Sequence, residues 1–436
     1  MQISLEASAW PRGWKPLANF GTVCAISLKT MNNPSPLLSA KEALSALLST
    51  ARPISEVETL ATLKANGRIL AEDICSAINV PGAENSQMDG YALRAAEAQT
   101  HTPILVSQRI AAGHVGVSLQ AGTVARIFTG AVMPEGADAV IMQEQCELIQ
   151  TDTETAIRLL HSPKSGEWVR HVGEDIRKGS VILTPGTRLR AQELGLAASV
   201  GFAEVKVKRR LKVAIFFTGD ELIMPGEPLP TGAIYNSNRF LITALLENCG
   251  CLVSDFGIVP DSLDATRATL RQAAQEHDVV ITSGGVSVGE EDHIKPAVEA
   301  EGRLNLWQIA IKPGKPLAFG EVGSAFFLGL PGNPVSSFVT FLLFVRPFLM
   351  RLQGIQDVVP KSFLVRADFD WTKADKRNEF LRAKLNTVGG LDLYSNQGSA
   401  VLSSTVWGDG LIDNPPGTII RRGDMVKFIP FSELMS

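Results

Sequence analysis

The chain is poor in the residues that build metal clips and disulfide frameworks. Its 436 residues hold five cysteines (Cys24, Cys75, Cys146, Cys249, Cys251), and none are spaced as C-x-x-C. An odd, scattered set argues against a disulfide scaffold and fits reduced thiols in the cytosol. Cys249-Gly250-Cys251 reads as packing at a helix end rather than a metal clip. The six histidines show no HxxxH or HExxH spacing, so a histidine zinc site is unsupported. There is no Walker A loop, and no Ser-His-Asp or Cys-His nucleophile stands out. Basic excess is missing too: a formal net charge of −4 argues against a nucleic-acid binder, though not against a local basic pocket. Long apolar runs are lacking. The best candidate span, residues 335–350, is too short and is interrupted by Arg346 and Pro347, which predicts a buried helix and no membrane. The apolar pieces near the N-terminus are broken by Pro11, Arg12, Lys15, Pro16 and Lys29, unlike a signal peptide. A soluble, cytoplasmic protein is expected.

What is present is ordinary globular composition, 45% hydrophobic and 20% charged. The length corresponds to about three domains. Residues 1–36 carry no sustained periodicity and read as a poorly ordered extension, with Met31 as an alternative start. Ser39-Ala40-Lys41-Glu42 is a capping box, followed by Ala43, Leu44, Leu47 and Leu48 at helical spacing. Residues 55–71 read as a further helical stretch with Gly67 near a break. From Ile74 to about Arg158 short strand candidates alternate with glycines, at 104–106, 123–128 and 139–142. Residues 179–210 read as small β structure with a short helix from Ala191. From Leu211 the pattern alternates β and α. Apolar strands at 213–217, 252–256 and 279–282 are joined by helices capped at Asn236 or Asn238 and at Asp264. Further strands lie near 304–309 and 325–330, and a long apolar helix ends by Gly354. Such alternation predicts a parallel, three-layer α/β domain. After about Val358 helix signals vanish. Strands at 363–369, 379–385, 392–394, 417–420 and 425–429 predict a small barrel or sandwich.

The chemistry gathers around residues 277–293. An apolar β-branched run, 279–282, breaks into Ser283-Gly284-Gly285, passes Ser287 and Gly289, and reaches Glu290-Glu291-Asp292. Glycines let backbone N–H groups approach an oxyanion closely. In open α/β sheets the ligand sits beyond the carboxyl ends of the strands. The same residues also read as a tight βα turn with solvated acids. Three strands end in acids, however: Asp220/Glu221, Asp261 and Asp292. Carboxylates converging on one sheet edge suit Mg²⁺, which binds through one or two of them and keeps waters and phosphate oxygens. Lys312-Pro313-Gly314-Lys315-Pro316 adds two cations on a loop stiffened by prolines, and Pro331-Gly332-Asn333-Pro334 is a rigid turn before a helix N-terminus. Each alone reads equally as a solvated turn or a helix entry. Together they point to metal-assisted chemistry on a phosphorylated or oxyanionic substrate.

Seven stretches then occur in a recognisable order: Asn85-Ser86-Gln87-Met88-Asp89-Gly90-Tyr91; Thr129-Gly130-Ala131; Gly173-Glu174-Asp175-Ile176; Thr218-Gly219-Asp220-Glu221-Leu222; Ser283-Gly284-Gly285-Val286-Ser287-Val288-Gly289; Lys312-Pro313-Gly314-Lys315-Pro316; and Leu330-Pro331-Gly332-Asn333-Pro334-Val335-Ser336. From about residue 37 onward the chain resembles the molybdopterin molybdenumtransferases, the bacterial MoeA type and the E domain of gephyrin. The resemblance implies a multidomain α/β plus β fold. A helix and discontinuous linking domain would take residues 37–75 and 175–208, and an inserted β domain 76–174. A three-layer, Rossmann-like molybdopterin-binding domain would take 209–357, and a C-terminal β-barrel 358–436. It implies an elongated homodimer whose cleft lies between the α/β and barrel domains of one subunit and the inserted domain of the other. The implied substrates are adenylylated molybdopterin and molybdate. Molybdate joins the dithiolene, the adenylyl bond is hydrolysed with Mg²⁺, and AMP and molybdenum cofactor leave. The adenylyltransferase that makes the substrate and the molybdoenzyme apoproteins that take the product are implied contacts.

Carried over residue by residue, Asp220, Glu221, Asp261 and Asp292 would serve the metal and the pyrophosphate end. Asp89 and Asp175 would act from the partner's side, with Thr129 beside them. Thr218, Gly219, Ser283, Gly284, Gly285 and Ser287 would line the substrate's phosphate loop, with Pro331 and Pro334 shaping the turn opposite. Lys312, Lys315, Ser336, Arg382 and Ser399 would form the molybdate pocket. Arg, Lys and hydroxyl donors suit that dianion, although without the resemblance Arg382 and Ser399 read as ordinary strand and turn residues. The chain departs from the family pattern at Ala83-Glu84, Arg170-His171-Val172, Ser262 and His293. Two alternatives remain at this level: a molybdopterin adenylyltransferase, which shares the Ser-Gly-Gly loop, and a non-catalytic scaffold of the gephyrin type.

Overall fold

The computed structural model describes residues 37–152, 154–285 and 293–435. Ser287 and Asp292, and the extension with Met31, lie outside the described residues.

The α/β region is built on a six-stranded sheet in the order Leu252–Val259, Lys212–Thr218, Val279–Ser283, Ala325–Leu330, Pro316–Val322, Gly302–Gln308. The first four strands run parallel. The last two pair antiparallel, which corrects the expectation of a purely parallel sheet. Strand Pro316–Val322 was missing from the sequence reading. It forms a hairpin with Ala325–Leu330, closed where Val322 pairs with Ala325 across Gly323 at φ +56°. Side chains alternate between two cores with the period of two expected of a strand. Val213, Ile215, Phe217, Val279, Ile281 and Leu328 face one. Ala214, Phe216, Val280 and Phe327 face the other. Both faces are therefore covered, and the central strands read as unbroken apolar runs.

Helix Ser237–Asn248 starts at Asn236, whose Oδ1 accepts from Arg239 N at 3.1 Å. Helix Leu263–Glu276 is capped by Ser262, not by Asp264 as expected: the serine hydroxyl accepts from Ala265 N at 3.3 Å, and Asp264 sits in the first turn. The long apolar helix runs through Pro334–Thr340, a π turn at Phe341–Val345 and Arg346–Leu352. It is apolar enough to cross a membrane by length and composition, but 83% of its window is buried within the protein. Cys249 caps the end of helix Ser237–Asn248 and, like Cys75, Cys146 and Cys251, is a free thiol. Burial pushes the Cys249 thiol up to about 11.

Ahead of this sheet, the capping box on helix Ala40–Thr50 forms as expected, with Glu42 N donating to Ser39 Oγ at 3.2 Å and Ser39 N donating to Glu42 Oε2 at 2.9 Å. The helix expected at 55–71 is not there. Val57–Ala61 is a strand, followed by a short 3₁₀ turn at Thr62–Lys64. It pairs antiparallel with Glu204–Lys208, residues distant in sequence. Non-local pairing here overrides a local helical leaning. Ile74–Cys75 likewise pairs with Val181–Leu183. Between these two segments lies a second six-stranded sheet: Ala139–Met142, Gly90–Leu93, Thr123–Ile127, Pro103–Ile110, Thr155–Leu159, Cys146–Gln150.

The C-terminal region is a closed barrel. Strand Asn378–Leu385 pairs with Gly390–Leu393, which pairs with Phe363–Ala367, then Met425–Pro430, then Gly410–Asn414, which returns to Asn378–Leu385. Gly410–Asn414 was not expected as a strand. Gly417–Ile420 was, yet only Ile420 makes a bridge, to Trp371. Two short helices, Ser403–Trp407 and Phe431–Met435, also interrupt a region read as free of helix.

Candidate functional site

The carboxyl ends of the parallel strands open onto a cleft of about 950 Å³. Its walls come from Thr218 and Glu221, from Ser283-Gly284-Gly285, from residues 312–316, from the 331–336 turn, and from residues 397–400 of the barrel. Of the candidates, Thr218, Glu221, Ser283, Gly284, Gly285, Lys312, Lys315, Pro331, Pro334, Ser336 and Ser399 line this one space.

Register explains the convergence. Phe217 pairs with Ser283 and Thr218 with Val259, so the loops after all three strands leave one edge. Gly284 is forced by crowding there. Its φ is +99°, and a Cβ would stand 3.1 Å from Thr218 O. The Ser283 hydroxyl is turned inward. It donates to Pro331 O at 3.0 Å and accepts from Asn238 Nδ2 at 2.8 Å. Ser337 Oγ donates to the same Pro331 carbonyl. Gly284 N is also taken, by Leu330 O at 3.1 Å. Ser283 thus anchors the loop, and its hydroxyl is committed before any ligand arrives.

The barrel is docked to the lysine loop. Ile311–Lys312 pairs in parallel with Asn378 and Glu379. Lys312 Nζ lies 3.0 Å from Glu379 Oε1 and 3.2 Å from Asp375 Oδ2. Burial works against the charge on Lys312, but the hydrogen bonds to Glu379 and Asp375 outweigh it and hold its pKa above the ordinary lysine value. Lys315, by contrast, is exposed and makes no ion pair among the described residues. Arg382 is fully buried in the barrel. It donates to Ser404 Oγ at 3.1 Å, Phe380 O at 3.2 Å and Gly398 O at 3.2 Å. Desolvation lowers it to about 10. Its bond to Gly398 supports the turn that carries Ser399, and the Ser399 carbonyl accepts from Val335 N at 3.0 Å.

Other candidates lie apart from the cleft. Thr129 donates to Asp89 Oδ1 through both N–H and O–H, each at 2.8 Å, and holds that carboxyl below the usual range. Asp175 lines a separate cavity of about 500 Å³ with Val80, Asn85, Arg170 and Glu174. Gly219 has φ +139°, and a Cβ there would meet the Glu221 carboxylate at 2.6 Å. Asp220 and Asp261 each stand two residues beyond the paired Thr218 and Val259, on neighbouring strands. Among the described residues no group of three or more His, Cys, Asp or Glu is placed to hold a metal ion. Asp220, Glu221 and Asp261 share the carboxyl edge of the sheet and offer only oxygen, without forming such a group. One or two oxygen donors at an edge are the kind of protein contribution Mg²⁺ takes, since it completes its shell with water and phosphate oxygens.

Among the cleft-lining side chains that sequence reasoning missed are Asn236, Asn238, Arg377 and Gln397. The asparagines were noticed only as helix caps. Gln397 holds the barrel turn, accepting from Arg382 N at 2.8 Å. Arg377 forks onto Asp375 with two bonds of 3.0 Å. A second basic residue beside Glu379 was the available signal for Arg377.

Fold and cleft together define the class: a multidomain α/β protein with a glycine-lined, lysine-bearing cleft shared with a β-barrel. Three family models match the chain. The MoeA N-terminal region (domain I and II) matches residues 38–201, the model described as Probable molybdopterin binding domain matches 214–351, and the MoeA C-terminal region (domain IV) matches 365–431. The molybdopterin molybdenumtransferase of Haemophilus influenzae is 42% identical over 407 residues, 92% of this chain and 100% of that protein. The enzyme of the same name from Nostoc sp. is 37% identical over 347 residues, 77% of this chain and 79% of its own. The solved molybdopterin biosynthesis MoeA protein of Pyrococcus horikoshii OT3 superposes with a TM-score of 0.77 at 30% identity, covering 91% of this chain and 100% of that one. The chain belongs to the molybdopterin molybdenumtransferase family.

Proposed function

We propose that this chain carries out its family's reaction in molybdenum cofactor biosynthesis, inserting molybdate into the dithiolene of adenylylated molybdopterin with hydrolysis of the adenylyl bond. The observation that carries the reading is the shared cleft. The Ser-Gly-Gly loop, the two-lysine loop, the Pro-Gly-Asn turn and the barrel turn at Ser399 meet in one space. Gly284 and Gly285 bring backbone close to the adenylyl phosphate, which Thr218 flanks. Lys315, Ser336 and Ser399 donate to molybdate, while Lys312 and Arg382 add positive charge from behind. Asp220, Glu221, Asp261 and Asp292 would hold Mg²⁺, which when bound withdraws charge from the phosphate oxygens. Attack of water at the adenylyl phosphorus breaks its bond to the pterin phosphate oxygen and releases AMP. Asp89, Thr129 and Asp175 stand away from this cleft in the single chain, and a homodimer would supply them from its partner. Contacts with the adenylyltransferase and with molybdoenzyme apoproteins, and a cytoplasmic location, belong to the same proposal.

A barrel turn lining the cleft favours this reaction over adenylyl transfer, which needs no molybdate pocket. The full set of acids and lysines favours it over a scaffold. The test is incubation with adenylylated molybdopterin, molybdate and Mg²⁺. AMP release is expected, lost on chelation and in Glu221→Gln, with the oligomeric state unchanged. ATP-dependent adenylylation of free molybdopterin without AMP release would overturn the assignment.

A further inference from the structure

Asn238 sits in the first turn of helix Ser237–Asn248, at the back of the cleft. Its single amide nitrogen donates twice, to Ser283 Oγ at 2.8 Å and to Gly332 O at 2.8 Å. These acceptors belong to different walls. Ser283 ends strand Val279–Ser283 and begins the Gly-Gly turn. Gly332 lies in the turn that opens helix Pro334–Thr340 and leads to Ser336. The tie is extended by Ser283 and Ser337, whose hydroxyls both donate to Pro331 O. One planar amide therefore ties the start of helix Ser237–Asn248 to both walls, which are themselves joined by the pairing of Ser283 with Leu330 and by the Ser283–Pro331 bond. Its Oδ1 is buried and has no hydrogen-bond partner among the described residues. A buried unpaired acceptor is unfavourable, and such groups concentrate where geometry serves function. Of the groups assigned above, the Ser283 hydroxyl also bridges the walls, to Pro331 O, and Asn238 braces that bridge from the helix by bonding Ser283 on one side and Gly332 on the other.

We propose that Asn238 is a positioning residue that braces, from helix Ser237–Asn248, the junction between the phosphate-binding Ser-Gly-Gly wall and the molybdate-binding Pro-Gly-Asn wall, so that both substrates are held in register. The inference rests on the reading under Proposed function. It predicts a signature that a residue serving one wall does not produce: loss of Asn238 weakens both substrates together. Leucine, of similar volume, removes both donors. Serine keeps a polar group but is too short to span the gap.

Asn238→Leu and Asn238→Ser are compared with wild type by steady-state AMP release, by calorimetric titration with AMP and with molybdate separately, and by thermal melting. In both variants KM for adenylylated molybdopterin and KM for molybdate should rise about tenfold or more, as two lost hydrogen bonds imply. The melting temperature of Asn238→Ser should fall by only about a few degrees, leaving the protein folded at the assay temperature. Wild-type values for both substrates, or a rise for only one, would overturn the role, as would a fall in melting temperature with binding unchanged. If wild-type protein released no AMP, the reaction assignment would fail, and the two titrations on the same variants would still decide what Asn238 does.

Discussion

Lys312 and Glu379 meet where the α/β region joins the barrel, with Nζ 3.0 Å from Oε1. Glu379 is almost fully buried and also accepts from Trp371 Nε1 at 2.8 Å and Asn414 Nδ2 at 3.3 Å. Lys312 is 38% exposed, so solvent screens part of its charge. The lysine read from sequence as a ligand for an oxyanion thus already has two carboxylate partners. Its first task is to hold the lysine loop against the barrel. Lys315, three residues on, keeps its charge free of described partners.

Removing the buried partner should therefore loosen the join. Glu379→Ala strands the Trp371 donor and leaves Lys312 with Asp375 alone and Asn414 with the Thr418 carbonyl, and should cost about 1–3 kcal/mol of unfolding free energy in a urea titration. Glu379→Gln, which keeps the shape and one acceptor, should cost less. Equal stability of wild type and Glu379→Ala would show that the network adds nothing.

The same network should give stability two pH limits. Asp375 is held well below its ordinary value of 3.8, chiefly by the Arg377 side chain. A depressed carboxyl contributes fully above its unfolded pKa and loses that contribution as pH falls through the folded one. Lys312 is raised above its ordinary 10.5, so its contribution is full below that value and is lost as pH rises through the folded pKa. Unfolding midpoints measured against pH should fall below about 4, and Asp375→Asn should flatten that acid limb. An unchanged acid limb would remove Asp375 from the account.

Lys315→Met separates binding from stability. The side chain is exposed and has no ion pair to lose among the described residues, so unfolding free energy should shift by no more than about 0.5 kcal/mol. KM for molybdate should rise about tenfold or more, since a charge-assisted donor is lost. A molybdate titration of the folded variant checks it; wild-type affinity would remove Lys315 from the pocket.

Gly284→Ala tests the crowded turn. Alanine is strained at φ +99°, and its Cβ would press on Thr218 O from 3.1 Å. Stability should drop by about 1–3 kcal/mol, and AMP affinity should fall with it. Retained AMP affinity would mean that the turn can shift without consequence.

Much of the cleft was legible because its parts are short, contiguous and chemically plain. Ser283-Gly284-Gly285, the two-lysine loop and Pro331-Gly332-Asn333 each announce a backbone turn or a charge. What escaped depended on distant pairing. Val57–Ala61 became a strand because Glu204–Lys208 lies beside it. Gly410–Asn414 carries Gly, Asp and Asn, turn residues by local preference, and became a barrel strand by pairing on both edges with Asn378–Leu385 and Met425–Pro430.

By itself the sequence determined the α/β alternation, the strand-end acids and the glycine- and lysine-bearing loops, because each rests on local periodicity or on residues adjacent in the chain. Only the tertiary structure decided that Lys312 is paired, that Ser283 faces inward, that Arg382 is sealed in the barrel and that Asn238 spans two walls. Those outcomes are set by which groups meet across the fold. A hydroxyl, amide or ammonium has no fixed role until its partners are in place.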